Sequence, residues 1–400
     1  MIGSTLLCIQ VLSLLAAVAA QKFPCTTSAD CALNGICLSS TCACDPAWDS
    51  VDGARLGCSA LALQPAVRGA GLHTVDGGRN TSSWGGSVLQ DEATGLWHMF
   101  ASEITEHCGI ASWTFNSRVV HATSPTPLGR FVRDAEFSGV FSHEPTAVRD
   151  PTTKEWAVFY TSLIPSGRPL CNCSDGSSTA ACKALQKFGK QGPTFVAWAP
   201  SPTGPWSPPL QLLSEGAREG DTNLAPYIFP NGSLVGIWRT HPGAVPGSIP
   251  HLVTAGHWKN ASSYVWRSEP LLPLRLPEDV GLEDPHIYRD ARGAFHALFH
   301  AFSLNGSTLA ERDFGGHAFS EDGLSWSWGG LAFGSSGTYS DGAPFHFLGR
   351  QRPHLVFAEG AAAPLGLTNG VIYADATTEG TDACFTFVQP VRTTPAPAPV

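Results

Sequence analysis

Charged residues are scarce in this chain of 400 residues, because Asp, Glu, Lys and Arg make up only 14% of it. Ordinary soluble domains contain roughly a quarter. The formal net charge is −9, and no run of basic residues offsets it locally. We therefore expect neither nucleic acid nor an anionic membrane surface as a partner.

A sustained helical period is also missing, since no segment repeats its apolar residues every 3.6 positions. Glycine and proline are abundant instead, with 42 and 31 residues. From about residue 60 to residue 390, short apolar runs alternate with turns rich in Gly, Pro and Asp. This pattern argues against a helical protein and predicts an all-β domain.

Long apolar runs are confined to the N-terminus. Residues 1–20 form an apolar leader that ends in small residues, Val18-Ala19-Ala20. The leader predicts a signal peptide and hence a secreted protein, with a short membrane anchor as the alternative. Nothing after it is apolar enough to insert into a membrane, and residues 391–400 predict a stiff Pro-rich tail.

An internal repeat organises the rest of the chain. The clearest copy, Gly281 to Phe302, reads as a polar corner followed by an apolar run, a turn and a second apolar run, which predicts a β-hairpin. Four other stretches share this layout, and the five corners recur at a nearly constant interval apart from a longer second one. The corner residues are Gly86, Pro145, Pro226, Pro285 and Pro344. Five such units predict a five-bladed β-propeller over residues 60–390.

Six cysteines crowd into residues 21–59, a segment with too little apolar content to fold without disulfides. Spacing alone permits fifteen pairings. The pattern resembles an EGF-like module, and the single residue between Cys42 and Cys44 is the specific part of that match. The resemblance implies the pairs Cys25–Cys37, Cys31–Cys42 and Cys44–Cys58. Such a module provides a protein contact or a spacer that caps the propeller, and without an acidic cluster before Cys25 we expect no calcium there.

The later cysteines leave their pairing open: Cys108, Cys171, Cys173, Cys182 and Cys384. Three of them lie in the longer second interval, which predicts a loop held by disulfides, and their odd number leaves one thiol over. Five N-x-[ST] triplets predict a glycoprotein with surface sugars. Their asparagines are Asn80, Asn172, Asn231, Asn260 and Asn305.

The corner Glu283-Asp284-Pro285-His286 and its repeats resemble the five-bladed propellers of glycoside hydrolase families 43 and 32. The resemblance implies a carbohydrate substrate and a general acid at Glu283. In those families an Asp precedes the first corner as base or nucleophile, and another precedes the third. This chain has Gly85 and Ala225 at those two positions.

Other polar residues near the corners are candidates for the missing roles. Glu144 and Asp341 are the candidate bases. The candidates for substrate binding are Asp284, His286, Trp84, His143, Asn223 and Arg239. We expect no cofactor or catalytic metal, and a central structural cation is the alternative.

Two functions follow from these residues. The first is a secreted glycoside hydrolase acting on poly- or oligosaccharides, and the alternative is a catalytically inactive propeller that binds carbohydrate or protein. A second carboxylate facing Glu283 favours the enzyme. Candidate bases that turn outward, or are covered by arginine, favour the binding protein.

Overall fold

The computed structural model describes residues 23–73, 81–162, 170–174, 192–213, 222–240, 248–304, 313–373 and 384–394. The predicted signal peptide, Asn80, the triplet at Asn305, Cys182 and the last six residues of the tail lie outside these ranges, as do residues 163–169, 175–191 and 214–221 of the longer second interval. Within the ranges, no helix has the length and apolar character needed to cross a membrane. Asn172, Asn231 and Asn260 are exposed, and their glycosylation stays a prediction.

The N-terminal region contains two small sheets and one strand of the propeller. Its strands are β1 (Gly35–Leu38), β2 (Thr41–Cys44), β3 (Trp48–Asp49), β4 (Ala60–Leu61) and β5 (Gly71–Leu72). Strands β1 and β2 pair with each other, and β3 pairs with β4. The helices of the described chain are single turns, at Ser28–Cys31, Ile110–Ser112, Trp113–Asn116 and Ala261–Ser263.

Five antiparallel sheets follow, which confirms the all-β class and the five-bladed propeller. Blade one has β6 (Ser82–Gln90), β7 (Trp97–Ile104), β8 (Ser117–Ser124) and β9 (Val132–Ser138). Blade two has β10 (Ser142–Arg149), β11 (Trp156–Ser162), β12 (Thr194–Ala199) and β13 (Leu210–Gln211). Blade three has β14 (Thr222–Ile228), β15 (Leu234–Thr240), β16 (Ile249–Ala255) and β17 (Tyr264–Pro270). Blade four has β18 (Val280–Arg289), β19 (Phe295–Ser303), β20 (Asp313–Ser320) and β21 (Ser327–Phe333).

Blade five contains strands from both ends of the propeller. It has β22 (Ser336–Thr338), β23 (Pro344–Val356), β24 (Gly366–Tyr373) and β25 (Cys384–Pro390). Strand β5, from the start of the chain, pairs with β25 as the outermost strand of this blade. The ring is therefore closed by backbone hydrogen bonds between segments that are far apart in sequence.

Each innermost strand carries a bulge at which its pairing with the second strand slips, and β23 has a further shift between Phe347 and Gly349. One residue at each bulge has a left-handed backbone, with φ between 50° and 62°. These residues form what we call the bulge ring: Gly85, Glu144, Asn223, Asp284 and Arg352. A non-glycine residue pays roughly 1–2 kcal/mol for this conformation. Bulges redirect side chains, and such strain is common at functional sites.

The bulge ring corrects two of the five predicted corners. In blade three the residue after the bulge is Leu224 rather than Pro226, and in blade five it is Pro353 rather than Pro344. The hairpin predicted at the fifth corner, Pro344, is therefore wrong, because β23 continues as one strand to Val356. Pro344 instead begins the segment that pairs with β22.

The N-terminal module contains the disulfides Cys25–Cys37, Cys31–Cys42 and Cys44–Cys58, the same pairs that the EGF-like resemblance implies. A further disulfide joins Cys108 to Cys173.

The module packs against blade four. Arg292 forms an ion pair with Asp45 at 2.5 Å, and the ring of Trp48 lies 4.7 Å from that of His317. Buried Asn34 places Nδ2 3.2 Å from His317 Nε2. The module and the propeller therefore share an interface with buried polar contacts.

Candidate active site

The bulge ring gathers opposite charges at one end of the central channel. Arg352 Nη1 lies 3.7 Å from Glu144 Oε2 and 3.8 Å from Asp284 Oδ1. Glu283 directly precedes the bulge of blade four, and its Oε1 lies 3.6 Å from Nη1 of Arg239 on β15. Three carboxylates, which we call the carboxylate cluster (Glu144, Glu283 and Asp284), thus meet two arginines.

Glu283 and Asp284 play different parts in this cluster. The side chain of Glu283 is 22% exposed, more than the other two carboxylates. Asp284 is buried and accepts a hydrogen bond from Nδ2 of Asn223. Glu283 is therefore the carboxylate best placed to meet a ligand, whereas Asp284 is held by the protein.

His300 on β19 supplies a further positive charge beside Glu283. Its Nε2 lies 2.7 Å from Asp313 Oδ1, and its Nδ1 lies 3.8 Å from Glu283 Oε2. Burial lowers the pKa of His300, but hydrogen bonds with Asp313 and Glu283 outweigh it and raise the pKa to about 10. His300 is therefore an imidazolium at neutral pH. With Arg239, it gives Glu283 two cationic neighbours, which favour an ionised carboxylate.

Glu144 has the opposite environment. Its side chain is 11% exposed, and burial together with the charge of Asp284 raises its pKa to about 8, despite Arg352 and Arg239. Its backbone N–H donates to Ser102 Oγ at 2.9 Å. The raised pKa of Glu144 favours its protonated form at neutral pH, beside a Glu283 that has two cationic neighbours. This is the combination of charge states that acid–base catalysis requires.

Blade one contributes no carboxylate to the ring. Gly85 has a φ of 60°, and a methyl group there would lie 2.5 Å from Arg352 Cδ. Arg352 is buried and donates from Nη2 to Pro145 O at 3.1 Å. The space beside the first bulge is thus filled by the Arg352 stem. An aspartate at position 85 could fit only if that arginine moved.

Most of the predicted site residues come together. The carboxylate cluster, Asn223 and Arg239 meet around Arg352, and His143 lies buried behind Glu144, with Nε2 3.5 Å from Oε1. His286 lies beyond the bulge, toward the hairpin turns, with its ring 4.9 Å from that of His354.

Asp341 and Trp84 do not reach this site, so both assignments are wrong. Asp341 lies in an exposed turn, and its Oδ2 pairs with Arg68 Nε at 2.6 Å. Its prediction as a base depends on Pro344 as the fifth corner, and the bulge of blade five lies at Arg352 instead. Trp84 is buried and its ring packs over Gly370, so it serves the core and cannot stack on a sugar.

Sequence reasoning missed two residues of the site and misplaced a third. Arg352 and Asp313 were not predicted in it, and the third-blade position expected at Ala225 is occupied by Asn223. A signal for Arg352 was present, because Gln351-Arg352-Pro353-His354 repeats the layout of Glu283-Asp284-Pro285-His286. No comparable pattern marks Asp313.

A cation fits the site poorly. Ligand atoms of Glu283, Asp284 and His300 lie within 4.8 Å of one another. The contact of His300 Nε2 with Asp313 is compatible with metal ligation by Nδ1, but the raised pKa of His300 means that Nδ1 would first have to lose its proton. Two arginines also border the cluster. The absence of a cofactor stays a prediction.

No protein-family model and no curated protein matches this sequence. Several solved structures share its fold. One is Zg3597, a family 117 glycoside hydrolase of the marine bacterium Zobellia galactanivorans (TM-score 0.51, 9% identity, 84% of this chain and 91% of that one). Another is the catalytic domain of a Coprinopsis cinerea GH62 alpha-L-arabinofuranosidase (TM-score 0.52, 12% identity, 84% and 97%). A third is described as a glycoside hydrolase (TM-score 0.54, 10% identity, 86% and 96%). At such identities the similarity establishes the propeller fold alone.

Proposed function

We propose that this protein is a secreted carbohydrate-active enzyme that hydrolyses glycosidic bonds at the bulge ring. Glu144 acts as the general acid and Glu283 as the general base. The observation that carries this proposal is the pairing of a buried Glu144, whose pKa is raised by burial and by Asp284, with a Glu283 flanked by two cations. The roles differ from the sequence-based expectation, which made Glu283 the acid. The fold shared with glycoside hydrolases supports a saccharide as the substrate.

In the proposed reaction, Glu144 donates its proton to the oxygen of the departing sugar. Glu283 accepts a proton from the water that attacks the anomeric carbon, so the bond is split into two hydroxyl-bearing products. Arg239 has Nε and Nη1 without hydrogen-bond partners among the described residues. We assign these two nitrogens to the hydroxyl groups of the sugar, beside Glu283.

The second candidate is saccharide binding without hydrolysis. It is favoured by the position of Arg352, whose guanidinium contacts Glu144 and whose stem fills the space beside Gly85. It is also favoured by Asn223, an amide at the third bulge, where the hydrolase resemblance places an aspartate. An arginine that stays in place would compete with a leaving group for Glu144.

The test is turnover of a panel of aryl-glycosides and polysaccharides by the full-length protein, with binding recorded in the same samples. Glu144→Gln and Glu283→Gln should each lose turnover, because each removes one of the two proton-transfer groups. Asp341→Asn is the matched control, since its carboxylate is exposed and outside the site. Turnover that survives either substitution would overturn the assigned roles. Binding without any turnover would establish the second candidate.

A further inference from the structure

A second cavity lies in the central channel, on the hairpin side of the bulge ring. It encloses about 300 Å³ and is lined by the innermost strands of all five blades. Much of its wall is aliphatic, and examples are Val88, Val148, Ile287 and Leu355. No carboxylate is among the described residues that line it. A mainly apolar cavity of this size with a few polar groups is typical of small-molecule sites.

Two imidazoles form the polar end of this cavity. His286 Nε2 and His354 Nδ1 are buried, and neither has a well-aligned hydrogen-bond partner among the described residues, although the backbone of Arg352 lies against the ring of His354. The side chain of His354 is almost fully buried, and its other nitrogen lies 3.5 Å from Thr146 Oγ1. A buried polar atom without a partner costs roughly 1–3 kcal/mol. A ligand that hydrogen-bonds to these two atoms would remove that cost.

The charge of the imidazoles restricts the ligand. Burial lowers the pKa of His286 to about 3 and that of His354 well below its ordinary value, so both rings are neutral at physiological pH. A neutral imidazole offers one N–H and one lone pair, which suit a hydroxyl group. Arg149 and Arg289 also line the cavity, at the ends of β10 and β18, so its cations lie at the hairpin end. An anionic group at the imidazole end would lose its hydration beside two rings that carry no charge to offset it.

The cavity is distinct from the carboxylate cluster. Arg352 Nη2 contacts Pro145 O at 3.1 Å and Thr146 Oγ1 at 3.4 Å, and Thr146 in turn contacts His354. This layer of side chains lies between the two sites. Mainly aliphatic walls also differ from the charged surroundings expected around a sugar.

We propose that this cavity, the channel pocket, binds a small and mainly apolar molecule through one hydroxyl group that hydrogen-bonds to His286 and His354. The walls of Val88, Val148 and Leu355 bury its apolar body. The proposal does not depend on hydrolysis at the bulge ring. It gives the two otherwise unpartnered histidine nitrogens a chemical role.

The probe is 2-naphthol, titrated into the full-length protein by its own fluorescence, with naphthalene as the probe that lacks the hydroxyl group. We expect saturable binding of 2-naphthol and at least tenfold weaker binding of naphthalene. Ala361 is exposed and lines the outer end of the pocket, so Ala361→Trp should weaken 2-naphthol binding at least tenfold. Ala135→Trp is the matched control on the exposed face of β9 and should bind like wild type.

His354→Phe removes the second imidazole and should weaken 2-naphthol, with little effect on naphthalene. If this buried substitution prevents folding, judged by near-UV circular dichroism, Ala361→Trp decides the question alone. Absent binding to wild type, or unchanged binding to Ala361→Trp, would overturn the pocket. Equal affinity for both probes would overturn the role of the imidazoles. Because no saccharide is used, failure here is separate from failure of the proposed hydrolysis.

Discussion

Replacing Glu144 by Gln should change how stability depends on pH. The pKa of Glu144 rises from an ordinary value of 4.5 to about 8, chiefly through burial. At about 1.36 kcal/mol for each pH unit, ionising this group in the folded protein costs on the order of 5 kcal/mol, as an upper limit. The folded state keeps a proton that the unfolded chain releases. The retained proton therefore makes its full contribution to the free energy of unfolding below pH 4.5, and this contribution is lost as the pH rises through 8.

The assay is urea unfolding of wild type and Glu144→Gln at pH 5, 7 and 9, followed by tryptophan fluorescence. The free energy of unfolding of wild type should fall by several kcal/mol relative to Glu144→Gln between pH 5 and pH 9. Titration of other groups is common to both proteins and cancels in the difference. Asp341→Asn is the control, because Arg68 lowers the pKa of the exposed Asp341 carboxyl and leaves it ionised throughout. Parallel pH curves for wild type and Glu144→Gln would refute a buried, protonated Glu144.

Three further predictions concern stability. Gly85→Ala should lower the free energy of unfolding in urea by roughly 2–4 kcal/mol, because residue 85 has a left-handed backbone and the new methyl group would meet Arg352. Gly95→Ala is the control: Gly95 is also left-handed, but the space around it is open, so this change should cost only about 1 kcal/mol. Asn34→Ala should cost roughly 1–3 kcal/mol and speed proteolysis of the N-terminal module, because it removes a buried contact with His317; equal proteolysis of both proteins would contradict this. Acid should also destabilise the protein below about pH 6.5, because the unfolded chain protonates histidines that the folded protein keeps neutral. The free energy of unfolding of Glu144→Gln, in which Glu144 no longer titrates, should therefore fall as the pH is lowered below 6.5. A free energy that stays constant over this range would contradict the prediction. Burial lowers the pKa of seven described histidines: His98, His121, His143, His286, His296, His317 and His354.

The sequence predicted the architecture well because the repeats carry local signals. The corners at Pro145 and Pro285 mark true bulges, since proline and an acidic residue suit the abrupt turn of the chain there. The same rule failed at Pro226 and Pro344, where prolines lie near a corner without forming it. The hydrophobic pattern of one strand cannot distinguish a proline at a bulge from a proline near one, because the position of the bulge depends on pairing with the second strand.

The site was only partly predictable for a different reason. Glu283 and Glu144 lie on repeated corners and could be found by comparing the units. Their charge states depend on Arg239, Arg352 and His300, which come from other blades and from second strands. Contacts of this kind form only when the ring closes, so single-unit patterns do not contain them. The proposed exchange of acid and base roles therefore rests on the three-dimensional arrangement.

The most direct test of the proposed roles is the pH dependence of kcat/KM for the best substrate of the panel. With Glu144 as the acid, kcat/KM should be high near neutral pH and fall as the pH rises through about 8, where Glu144 loses its proton. The same fall should be missing from any residual activity of Glu144→Gln. A rate that rises through pH 8 would mean that Glu144 works as the base, and would contradict the assignment of acid and base made here.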